Sequence, residues 1–172
     1  MERSRTQESD HGQALARLRG MIDKAKVAML ATLDPAQELR SRPLHTERVD
    51  EDGTLWFIVA ADAPKVGEIY SHSGKVCVSY SDPERQNYVS LTGTAQLVDD
   101  PGRKAELWSS IAEAWFPGGK DDPAIGLLRV QPEHGEYWDG PSSAAGQIFA
   151  LAKAALTGDV SGFGTQHKFK VG

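Results

Sequence analysis

Residues 54–60 read TLWFIVA, apolar on both parities: Trp56 and Ile58 alternate with Leu55, Phe57 and Val59. Successive strand side chains leave opposite faces, so such a run is stable only where both faces are covered. An ordinary surface strand shows apolar residues on one parity alone. The run follows DEDG at 50–53, a tight-turn signal, so it pairs back antiparallel on the segment before it. A chain built around this strand folds as a layered or closed β-structure.

The neighbouring segments agree. Leu15, Leu18, Ile22 and Ala25 fall at helical spacing and predict an amphipathic helix over 13–26. KVAMLATL (26–33) and LRSRPLHTERV (39–49) read as two strands joined by the turn DPAQE. After the central run, 62–74 reads as a short helix capped by Asp62, with Pro64 in its first turn and Gly74 at its exit. KVCVSYS (75–81) is a further strand. NYVSLTGTAQLV (87–98) alternates cleanly: Val89, Leu91, Ala95 and Leu97 face a core, and Ser90, Thr92, Thr94 and Gln96 face out. Asp100 and Pro101 open another helix, with Leu107, Trp108, Ile111 and Trp115 near one face. AIGLLRVQPEHGEYWDG (124–140) is two strands or one bent strand, and 143–156 is a last helix. Six or so short strands with few crossover helices predict a mainly β fold with flanking helices, an antiparallel barrel or sandwich. The expected organisation is a disordered start (1–12), one domain (13–157) and a flexible tail (158–172) whose apolar content is too low to demand structure.

A net charge of −5 argues against a general binder of nucleic acid or anionic membrane. No apolar run approaches the ~18 residues that span a bilayer, and the charged start is unlike a signal peptide, so a cytoplasmic location is expected. The single cysteine, Cys77, lies in an apolar strand and reads as an inert thiol; with five scattered histidines no metal site is expected. GFGTQH and FPGGKDD lack the spacing of phosphate-binding loops, and no GxSxG, HExxH or CxxC occurs.

Two arginines, Arg40 and Arg42, leave the same face of a strand just before Pro43. One reading is a solvated face; the other is an anion site. Lys65 adds to the second, because it falls in a helical first turn, where the macrodipole disfavours a cation and free amides welcome an anion. Pro43 cannot donate to a ladder, so it marks an edge where main-chain groups are open to a planar heterocycle. Trp138 could lie beside such a ring, or pack in a core or interface.

Together SRPL (41–44), DGTLWFIV (52–59), APKVGEI (63–69), YVSLTGTAQLVDD (88–100), AWFPGG (114–119) and EYWDG (136–140) resemble the FMN-binding split-barrel proteins related to pyridoxamine 5'-phosphate oxidase, in particular their bacterial general-stress-protein branch. The resemblance implies an antiparallel split β-barrel and a homodimer with FMN at the subunit interface. It implies Arg42 near the ribityl phosphate, main chain of Pro43 and Leu44 against the isoalloxazine, and Phe57, Ile58 and Val59 lining the cofactor. It further implies Lys65 on the phosphate, Tyr88 as a polar flavin contact and Trp138 beside the flavin. Arg40 has no secure counterpart. The oxidases carry an arginine–histidine cluster after the tryptophan that clamps their substrate; here GPSSAAGQIF (140–149) has no cation, which argues against oxidation of pyridoxamine phosphate.

Three functions share this fold: an FMN-dependent oxidoreductase, a non-enzymatic flavin-binding stress protein, and the same barrel holding a deazaflavin or haem. No catalytic acid or base is identified, and His45 and Tyr88 are candidates by residue type alone. Trp108, Trp115 and Phe116 offer apolar surface for an interface, or pack their helix onto the barrel.

Overall fold

The computed structural model describes residues 2–140, 153–157 and 165–171, with the side chains of 12–140, 153–157 and 166–171. A long helix, α1 (Glu2–Ala25), precedes strands β1 (Val27–Leu33), β2 (Leu39–His45), β3 (Arg48–Val49) and β4 (Leu55–Ala60). Then follow α2 (Pro64–Ser71), β5 (Lys75–Asp82), β6 (Asn87–Val98), α3 (Pro101–Leu107), α4 (Ser110–Trp115), β7 (Ile125–Asp139) and β8 (Thr165–Lys170).

Every strand pairing is antiparallel, in the order β2-β1-β5-β6-β7-β4-β3, with β8 beside β7. The two ends of this order, β2 and β3, are separated along the chain only by Thr46 and Glu47, so the sheet must curl until its ends meet. The result is a split barrel, as the resemblance implied; the strand pattern alone left barrel and sandwich open. Curvature is helped by a register shift between Thr92 and Gly93 of β6. There a Cβ on Gly93 would lie 2.1 Å from the Gln131 carbonyl oxygen, so only glycine lets the two strands approach.

The two-faced strand behaves as its pattern demands. Leu55, Phe57 and Val59 enter the main core with Leu30, Val78, Leu91 and Val130, whereas Trp56 and Ile58 enter a second cluster with Leu107, Ala112 and Leu127. Helix α1 closes the main core with Leu15, Leu18, Met21 and Ile22. Burying an aliphatic side chain of this size stabilises by about 1.5–3 kcal/mol, so this lid is a major contributor.

Several expectations are corrected. Helix α1 begins at Glu2 rather than at Gln13, where helical spacing placed its start. The second strand divides at Thr46 and Glu47, whose amides bond to the Lys26 carbonyl just before β1 and the Trp56 carbonyl of β4. Ala63, not Asp62, caps α2, with no side-chain cap bond. The helix after Asp100 breaks, because Ser109 starts α4 by accepting from the Ala112 amide; Trp108 and Phe116 then pack inward while Trp115 is 76% exposed. The end of the chain supplies β8, held by its ladder to β7, by Gln166 and Lys168 on Glu136, and by Phe169 packed on the main core and against Tyr137. Most of the expected helix at 143–156 lies outside the described residues.

Candidate functional site

The split is a seam between two strand edges. Among the described residues β2 ends the sheet and pairs only with β1, and β4 pairs with β7 along its length but with β3 only at Leu55 and Trp56. From Phe57 to Val59, therefore, the β4 edge facing β2 meets no strand among the described residues. The chain leaves β4 and enters α2 directly, which puts Lys65 at the end of this seam. Arg42, Pro43 and Leu44 line it from β2. Phe57, Ile58 and Val59 are at most 7% exposed, with side chains committed to the two cores, so only their main chain faces the seam.

Arg42 sits opposite Leu30, and Arg40 opposite Thr32, so both leave the same face of β2. Their environments differ completely. Arg40 is exposed and bonds to Asp34 and Glu38 in the turn before β2. Arg42 turns under α2, where Nη1 donates to Thr32 Oγ1 at 2.8 Å and pairs with Glu68 Oε2 at 2.8 Å. The Thr32 hydroxyl donates to the same Glu68 oxygen at 2.5 Å. A closed triad thus fixes the guanidinium through one nitrogen, and Nε and Nη2 make no hydrogen bond among the described residues.

Lys65 completes the cluster. Its partial burial, and then the like charge of Arg42, hold its ammonium below the usual lysine range, with Glu68 pulling the other way. Two cations close enough to disturb each other, beside a helix whose first turn holds no acid, make a site that favours an anion. Burial alone would raise the Glu68 carboxyl. Hydrogen bonds from Thr32 and Arg42, with the guanidinium charge, outweigh it and hold the carboxyl below the ordinary carboxylate range.

Tyr88 and Trp138 lie directly opposite each other on β6 and β7. They line a shallow concavity of about 470 Å³ with Val27, Met29 and Ser81. Its strands are β1, β5, β6 and β7, and its walls are side chains of the outer sheet face. From Arg42 to Tyr88 is three strand spacings, ~14 Å, across the sheet. One chain therefore holds the candidate residues as two separate groups. His45 ends β2 opposite Val27, on the outer face, with Nδ1 3.2 Å from Glu47 Oε1. Cys77 is half-buried rather than enclosed, 3.8 Å from Ser90 Oγ.

Nothing in the local sequence singles out Thr32 or Glu68. A threonine in a strand and a glutamate in a helix are ordinary there, and only the packing of α2 against β1 brings them to Arg42.

The fold defines the class: an antiparallel split barrel. The family described as Pyridoxamine 5'-phosphate oxidase like matches residues 13–161, and the chain belongs to it. The chain is 28% identical over 119 residues to General stress protein 26 of Bacillus subtilis, covering 66% of this chain and 79% of that protein. A putative general stress protein 26 from Jannaschia superposes with a TM-score of 0.70 at 28% identity, over 88% of this chain and 94% of that one. A general stress FMN/FAD binding protein from Xanthomonas citri superposes at 0.64 with 26% identity, covering 74% and 89%.

Proposed function

We propose that this protein binds FMN and works as an FMN-dependent oxidoreductase that does not act on pyridoxamine phosphate. One observation carries the reading: beside an open seam between two strand edges, Arg42 pairs at 2.8 Å with Glu68 of α2, the helix that carries Lys65 one turn earlier. The donor set suits a ribityl phosphate, offering the free guanidinium edge of Arg42 and the Lys65 ammonium. The unpaired main chain beside Pro43 and Leu44 suits the hydrogen-bonding edge of a flavin ring. Likeness to a protein described as FMN/FAD binding supports the same ligand.

Bound FMN would supply the hydride and electron transfer. This chain's residues bind and orient it: Arg42 and Lys65 grip the phosphate, while the β2 edge fixes the ring plane. Tyr88 and Trp138 belong to the site as the wall contributed by a second copy, since one chain separates them from Arg42 by three and four strand spacings across the sheet. The functional unit in this reading is a homodimer.

The test is purification followed by anaerobic mixing with NADH or NADPH while flavin absorbance is followed. Bleaching at catalytic rates is expected. A yellow protein that no reductant bleaches leaves a binding role only. Light scattering should give twice the chain mass, and a monomer with full flavin affinity contradicts the shared site.

A further inference from the structure

We propose that Glu68 is an internal counter-anion that competes with a ligand's phosphate for Arg42, and so sets the affinity of the seam for phosphate monoesters. The inference rests on the FMN reading for its natural ligand, but its chemistry concerns any phosphate monoester.

Glu68 stands one turn after Lys65 on α2, on the same face at i,i+3 spacing. Its Oε2 accepts from both Arg42 and Thr32, with the side chain only 11% exposed. A carboxylate oxygen held by a guanidinium and a hydroxyl occupies the kind of position a phosphate oxygen seeks.

Charge decides the direction of the effect. Arg42 and Lys65 carry two positive charges and Glu68 returns one, leaving the cluster at about +1. A phosphate monoester brings roughly −1.5 to −2. With Glu68 ionised the filled site is therefore negative; with a neutral residue there it is near balance. The other carboxylate felt at Glu68 is Asp34, which is already engaged by Arg40. Glu68 thus neutralises Arg42 and opposes a dianion at the same time. A phosphate gains Arg42 fully only when Glu68 swings out, a movement that its three rotatable bonds allow.

The consequence is selective. A ligand without a phosphate makes no demand on Arg42 and does not feel the change. Glu68→Gln keeps the shape and the accepting oxygen but removes the charge, and Glu68→Ala removes both. Wild type and both variants are titrated with FMN, riboflavin and inorganic phosphate, using flavin fluorescence and phosphate-induced thermal shift. Glu68→Gln should bind FMN about tenfold tighter, equivalent to ~1.4 kcal/mol. It should gain more protection from phosphate, and leave riboflavin affinity unchanged. Glu68→Ala should move the same way.

Equal or weaker FMN binding by Glu68→Gln overturns the inference, because Glu68 would then serve to hold Arg42 in place. A parallel gain for riboflavin also overturns it, since the effect would not pass through the phosphate. If every form ignores FMN while phosphate protects Glu68→Gln more than wild type, the flavin reading fails and the competition stands. If the variants match wild type with both anions, the competition is refuted.

Discussion

Removing Arg42 should cost stability as well as ligand affinity, and the structure sets the size. Arg42→Ala deletes two 2.8 Å contacts, to Thr32 and to Glu68, and leaves the mostly covered Glu68 carboxylate with Thr32 alone. Hydrogen bonds to charged groups contribute about 1.5–3 kcal/mol. The arginine side chain is 25% exposed, so solvent screening brings the pair toward the lower end, a loss of about 2 kcal/mol. For a chain of this size that lowers Tm by roughly 4–8 °C. Much of the loss is the stranded carboxylate rather than the missing bond, so Arg42→Ala/Glu68→Gln should recover about half of it. The sign with pH follows from Glu68. Its carboxyl is lowered in the folded chain, so its stabilisation is full above the unfolded value near 4.5 and fades as the pH falls through the folded value. The Arg42→Ala deficit should therefore be complete at pH 7 and shrink in strong acid. Thermal unfolding of the single and double variants across pH, with no flavin added, is the assay. An unchanged Tm for Arg42→Ala refutes the triad, and so does a double variant as unstable as the sum of the two singles.

Three further outcomes are expected. Lys65→Ala should weaken FMN binding by about tenfold or more, whereas Arg40→Ala, whose guanidinium is spent on Asp34 and Glu38, should change it little in the same titration. Because burial and Arg42 lower the Lys65 ammonium below 10.5, FMN affinity should fall as pH rises through that lowered value; Lys65→Arg should keep its affinity over the same range. Gly93→Ala sets a methyl 2.1 Å from a main-chain oxygen, so the β6–β7 register must shift; Tm should drop by at least ~5 °C, and a native melting curve would contradict the close approach.

Period-two patterning made the barrel readable: β6 alternates in the structure as it does in the sequence, and the double-sided run at 54–60 is the strand shared by two cores. Amphipathic spacing found the buried face of α1, but its polar first half carries no such signal, so its start was misplaced. β8 escaped because ladder bonds and charge pairs leave no hydrophobic pattern, and the two core contacts beside them, Phe169 and Val171, are too few to mark a strand. At the candidate site Arg42 and Lys65 stood out by residue type beside a strand edge and a helix start, with a solvated face as the competing reading. The partners that orient them did not. Thr32 and Glu68 acquire meaning only when α2 lies on β1, a tertiary contact with no local trace.

The most direct measurement compares FMN with riboflavin on the purified protein and on Arg42→Ala/Lys65→Ala. The two cations should make FMN bind about a hundredfold tighter than riboflavin in wild type, ~2.7 kcal/mol for two charge-assisted contacts, and the double variant should erase that preference. A wild-type protein that takes up neither flavin, or a double variant that still prefers FMN, would contradict the assignment of the seam as the phosphate site.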